Sequence, residues 1–233
     1  MRDSNGVTPT APASGVVSPS VNVPRSSTSV GIDDSLSGLG SPVAGHRTAS
    51  ISRLRIAMLD PETTAAVRAA IIDSLVIFIR DHSPKHPGIN SFAYCMKPPP
   101  APFPSEATLA LQAIGETRGD LTESIDLSRV NLSYASLQDL DFRNVRFDGA
   151  LLCRTWFSHS RLDGATFRDA NLRFSTFEGA EGLRSAQLSE AESILNVRLP
   201  NSLTENPYLV RLREVDPECS PHLPTSQRLC DFQ

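Results

Sequence analysis

The chain has 233 residues, 39% hydrophobic and 6% aromatic, with a formal net charge of −4. That length allows one or two domains with a buried core, and so mild an acidity excludes a generic nucleic-acid binder. The start lacks the basic-then-apolar order of a secretory signal, and the most apolar run, Ala69–Ile79, is too short to span a bilayer and contains Asp73. The expectation is therefore a cytoplasmic protein with no membrane span. Cys95, Cys153, Cys219 and Cys230 form neither a CxxC pair nor a dense disulfide pattern, so reduced thiols are expected, with a Cys219–Cys230 bridge as the alternative.

Residues 1–48 are dominated by Ser, Pro, Thr, Gly and Val and contain no aromatic residue, which predicts a disordered tail. Within it, Arg47-Thr48 followed by Ala49-Ser50 matches a basophilic-kinase pattern short enough to arise by chance. Residues 49–120 read as a helical region with a Pro-rich connector. Asp60 as N-cap, Pro61 at the first helical position and Glu62 in the first turn predict a helix start. Val67, Ile71, Leu75, Phe78 and Ile79 then recur at helical spacing until Pro84 and Pro87-Gly88. After the connector MKPPPAPFP, a shorter helix is predicted over Ser105–Glu116, with Ala110, Leu111 and Ile114 on its apolar side and Gly119 beyond its end.

From Leu127 onward every fifth residue is Leu or Phe: Leu132, Leu137, Phe142, Phe147, Leu152, Phe157, Leu162, Phe167, Leu172 and Phe177. Two positions before each stands a second, mostly smaller residue, from Ile125 and Val130 through Ala165, Ala170 and Ser175. Neither the 3.6-residue period of a helix nor the two-residue period of a strand gives this pattern. A fixed short period held over this length is the mark of a solenoid.

The stretch GATFRDANLRFSTFEGA resembles the pentapeptide-repeat family, whose consensus is A-D/N-L-x-x and whose fold is a right-handed quadrilateral β-helix. The order DSLVIFIRDHSP, ALQAIGETRGD, IDLS is also similar to actinobacterial pentapeptide-repeat proteins with a helical segment before the repeats. The resemblance implies a mainly β fold: a short right-handed quadrilateral β-helix over 121–192, an α-helical N-terminal region, and a helical or irregular C-terminal cap and tail over 193–233. Four pentads would make one square coil. Residues twenty apart support this, because Asp126 falls over Arg146, Asp148 over Arg168, Arg143 over Asp163, and Asp141 over Arg161 over Glu181. The Leu and Phe residues from Leu127 to Phe177 would line one dry axis. So short a rod exposes sheet edges and apolar side chains at both ends. The Ser105–Glu116 helix, with the Pro61–Asp81 helix behind it, is expected to close one end, and Ile194–Leu199 with a helix near Pro207–Val215 the other.

Little in the sequence points to catalysis. His82 and His86 are separated by a helix-breaking Pro84, so no metal site is expected; Asp139 and His159 would neighbour each other as a surface pair. GLGSPVAG lacks the spacing and Lys of a phosphate loop, and the sequon at Asn131 has an interior residue, Leu132, at its centre. No serine nucleophile has an identifiable partner, and no cofactor is implied. The sharper feature is on the surface: Tyr134, Arg154 and Phe174 stack at twenty-residue spacing, with Trp156 two residues beyond Arg154. These residue types are enriched at interface hot spots, which makes the corner a candidate partner surface unless the segment after Leu188 folds back over it. The expected function is a non-enzymatic scaffold for an unknown protein partner, without direct nucleic-acid binding. The resemblance carries an alternative, a DNA-mimicking protein that binds type II topoisomerases. Over Glu123–Glu192, eleven acidic residues against eight arginines make a weak excess for that role.

Overall fold

The computed structural model describes residues 27–85, 91–96, 103–118 and 123–214. The expectations placed on residues 1–26, His86, Pro87-Gly88, Gly119 and the Cys219–Cys230 pair lie outside these. A helical layer comes first. Helices α1 (Ser27–Gly38) and α2 (Ala44–Leu59) lie side by side, followed by α3 (Ala65–His82), α4 (Ser91–Met96) and α5 (Ser105–Thr117).

Residues 27–38 and 44–48 are therefore helical where a disordered tail was expected. Ile32, Leu36 and Leu39 recur at helical spacing and pack on the core, and Gly38 lets α1 approach Ser50, whose Oγ would lie 2.1 Å from an added Cβ. Bulk composition hid that stripe. Ser50, the residue of the kinase-like match, is buried against α1.

The start of α3 also differs from expectation. The Asp60 carboxylate accepts from the Glu62 amide at 2.9 Å, and the Thr63 hydroxyl donates to Ala57 O at 2.6 Å, which folds residues 60–63 into a turn back onto α2. Thr64 is the N-cap, its Oγ1 accepting from the Val67 amide at 3.3 Å. Val67 is left partly in solvent, and Ile71, Ile72, Leu75, Phe78 and Ile79 carry the buried stripe. Helix α5 falls where its pattern predicts. Ala107, Ala110, Leu111, Ala113, Ile114, Gly115 and Thr117 of this helix are buried, because it lies between α2, α3 and the first coil.

From residue 125 the chain winds in coils of four short sides. The parallel bridges Asn131↔Leu151↔Asn171, Ser136↔Trp156↔Thr176 and Asp141↔Arg161↔Glu181 each step by twenty residues, as does β1 (Ile125–Asp126) on β2 (Val145–Arg146) and on to Thr166. At each corner the chain makes a four-residue turn. Ala135 N donates to Leu132 O and Ala150 N to Phe147 O, both at 3.0 Å, and the third turn residue has positive φ. Left-handed residues recur every fifth position from Arg129 to Gly179. Both inward residues of each pentad are buried, and the Phe rings form ordered columns: Phe147 stacks on Phe167 at 5.4 Å and Phe157 on Phe177 at 5.0 Å. Burying each Leu or Phe contributes roughly 1.5–3 kcal/mol, so this axis is the main favourable term of the coils. Thr155 and Ser175, which also point inward, donate to Leu132 O and Leu172 O.

Helix α5 closes the first end, with Gly115 O accepting from Asp141 N at 3.0 Å. A Cβ on Gly115 would lie 2.7 Å from Leu140 Cβ, so glycine sets the depth of that seat. At the other end the coil continues past a short inserted helix, α6 (Ser185–Ser189). Leu172 N donates to Ser193 O and Phe177 N to Arg198 O, placing Ile194, Val197 and Leu199 as a further buried layer. Helix α7 (Pro207–Glu214) then buries Leu209 over it. Interior and helical layer share one continuous apolar core.

Candidate partner surface at one corner of the coils

Tyr134, Arg154 and Phe174 occupy the same corner of three successive coils, all with positive φ (67°, 56° and 62°). The turn geometry points their side chains outward and stacks them. The Arg154 guanidinium lies 4.7 Å from the centre of the Phe174 ring, a cation–π contact, and Arg154 also hydrogen-bonds Tyr134. Burial raises the Tyr134 phenol above its ordinary pKa, against the opposing effect of the Arg154 charge. Trp156 is not part of this stack. It stands on the next side, bridged to Ser136 and Thr176, 48% exposed and without a ring contact to the corner residues. Among the described residues after Leu188, Asn196 takes the corresponding left-handed position in the layer below Phe174 and so continues the corner rather than crossing it.

The side before this corner is covered, a feature not anticipated from sequence. Its outward residues Asn131, Leu151 and Asn171 are all buried, whereas two of the other sides present Arg146, Thr166, Arg161 and Glu181 to solvent and the third presents Trp156. Helix α4 lies over it: Tyr94 and Cys95 pack on Leu151 and Cys153, and the Asn131 amide donates to Tyr94 Oη at 3.2 Å and to Lys85 O at 3.3 Å. Cys95 and Cys153 are joined in a disulfide across 58 residues, with Cα atoms 5.5 Å apart, so the expectation of reduced thiols fails for this pair. No sequence motif links the two. Folding brings them together by laying α4 on the coil. The signal that was available was the lack of charge at positions 131, 151, 153 and 171. Arg154 joins both features, donating from Nε to Cys95 O at 3.3 Å.

Elsewhere several of the outward charges are paired. Arg146 meets Asp126 at 2.9 Å and Arg161 approaches Asp141 at 3.9 Å, as the twenty-residue register predicts. Other partners differ from that register: Arg143 grips Asp141 of its own coil at 2.6 Å, and the Arg168 guanidinium pairs with Glu190 of the following layer at 3.7 Å rather than with Asp148. Burial pushes the Asp141 carboxyl up, but hydrogen bonds from Arg143 and the charges of Arg143 and Arg161 outweigh it and hold the group below the usual carboxylate range. A groove of about 800 Å³ between α3 and the coils is lined by Arg80, Arg129 and Arg146 with Asp126, Asp148 and Asp169 among them. Asp139 and His159 stand at the same corner of adjacent coils, both with φ 58°, but the surface ion pair expected of them is not among the ion pairs of the described residues. Among the described residues no cluster of His, Cys, Asp and Glu has the arrangement of a metal site, and no helix is long and apolar enough to cross a membrane.

Residues 125–150 and 146–181 match the family model for pentapeptide repeats, in eight copies. Such repeats imply a right-handed β-helix. Among solved structures, the chain is similar to HetL, a pentapeptide repeat protein involved in heterocyst differentiation regulation from the cyanobacterium Nostoc, at 27% identity and a TM-score of 0.25. That likeness covers 33% of this chain and only 34% of HetL. A second similar structure is a pentapeptide repeat protein of the Arabidopsis thaliana thylakoid lumen, at 18% identity and a TM-score of 0.20, over 46% of this chain and 86% of that one. No curated protein matches the chain.

Proposed function

With the coils of this chain being pentapeptide repeats, we propose that it is a non-enzymatic scaffold that docks a protein partner on the corner of Tyr134, Arg154 and Phe174 together with Trp156. The observation that carries this reading is the exposure of Trp156. It is the one large apolar side chain of the coils left about half in solvent, while the inward rings of Phe142, Phe147, Phe157, Phe167 and Phe177 are fully buried. A rigid aromatic held on a regular backbone loses little entropy on binding, and the adjoining Arg154–Phe174 stack supplies a charged and aromatic rim. The topoisomerase-directed alternative wants a uniformly negative face, and the observed faces pair Arg with Asp or Glu instead.

The test compares wild type with a variant carrying Tyr134→Ala, Trp156→Ala and Phe174→Ala in quantitative pull-downs from the native host, each checked for an unchanged melting transition. Specific partners should be depleted at least tenfold from the variant. An identical partner set with an intact fold would refute the assignment of this surface.

A further inference from the structure

We propose that the Cys95–Cys153 disulfide is a redox latch: its reduction lets α4 lift from the coils and uncovers the side formed by Asn131, Leu151 and Asn171. The inference stands apart from the partner surface, which could fail without affecting it. Three observations carry it. The outward residues of the covered side are all uncharged and all buried, whereas the equally uncharged side of Ser136, Trp156 and Thr176 is partly open to solvent and the remaining two sides carry charges, so the covered side is matched to a lid rather than to water. The lid is weakly held apart from the bond itself. Helix α4 has six residues, too few to be stable alone, and Tyr94, Cys95, Leu151 and Cys153 form a small apolar cluster separate from the main core. Finally, the site suits both redox states. Asn171 Oδ1 lies 3.4 Å from Cys153 Sγ and 3.7 Å from Cys95 Sγ, where it accepts no hydrogen bond from a disulfide but can accept from either thiol. The Asn171 Nδ2, buried beside them, has no partner among the described residues.

The chemistry balances with a dithiol reductant. One of its thiolates attacks a sulfur of the pair, the S–S bond breaks through a mixed disulfide, and the second thiol of the reductant closes its own disulfide. Two electrons and two protons end on Cys95 and Cys153 as thiols. Both sulfurs are buried, so attack follows transient opening of α4, and the lid controls its own release.

The full chain, oxidised in air, is compared with the same protein in dithiothreitol by hydrogen exchange and iodoacetamide labelling, both read by mass spectrometry. Reduction should speed exchange of the α4 amides (91–96) at least tenfold and make Cys153 alkylatable. The Phe142 and Leu162 amides, bonded to Arg161 O and Glu181 O on the far side, should keep their rates. A double variant, Cys95→Ser with Cys153→Ser, should show the fast α4 exchange without reductant and no further response to it, which separates this pair from Cys219 and Cys230. Three results overturn the proposal: alkylation of both cysteines in the oxidised protein, α4 exchange indifferent to reduction, or acceleration at Phe142 and Leu162 as well, which would make the bond a staple for the whole fold.

Discussion

At the scale of the residue, the corners decide where side chains of the coils point. A four-residue turn with positive φ at its third residue suits glycine, yet this chain places Arg129, Tyr134, Asp139, Arg154, His159 and Phe174 in such positions. The coil register enforces that conformation against a local cost of about 1–2 kcal/mol for each residue with a Cβ. Where glycine does occur, it also makes room. At Gly179 (φ 69°) a Cβ would lie 2.3 Å from His159 Nδ1 of the coil before. Gly179→Ala should therefore lower stability by about 1–2 kcal/mol, read as a shift in the urea midpoint. Asp141 gives the pH-dependent prediction. Its folded pKa lies below its unfolded value, so its contribution is complete above pH about 4 and is lost as pH falls through the folded value. Asp141→Asn should flatten the decline in stability below pH about 4, measured by urea unfolding across that range. An unchanged slope would mean that the Arg143 bonds do not favour the ionised form.

At the scale of the element, the pentad separates interior from surface within two adjacent residues. Phe157 is fully buried, stacked on Phe177 and edge-on to Phe147 and Phe167, while Trp156 points out. Phe157→Ala should cost about 3–5 kcal/mol and Trp156→Ala less than about 0.5 kcal/mol, in matched denaturant titrations. Comparable costs would place Trp156 in the fold rather than on a docking surface. That inside-outside division was legible from residues 125–177, because the same constraint repeats every five residues and each instance corroborates the rest. The helices were less so. Ser105–Thr117 was readable because its apolar side is nearly all there is, but α1 was hidden in Ser- and Gly-rich composition although Ile32, Leu36 and Leu39 carry its stripe. The start of α3 was misread because Asp60 and Pro61 are equally good chemistry for a turn.

At the scale of the whole molecule, the coils and helices are parts of one core, with α5 seated on the first coil and a further turn through Ser193–Arg198 extending the stack beyond the matched repeats. The sequence by itself determined the five-residue period, the buried Leu and Phe axis, the twenty-residue register and the stacking of Tyr134, Arg154 and Phe174, since all follow from short-range repetition. Only the tertiary structure decided that α4 covers one side of the coils, that Cys95 meets Cys153, and that Trp156 stands apart from the corner stack. Those facts depend on where a non-repeating segment lands on a repeating one, and nothing in either segment's local pattern encodes the meeting point.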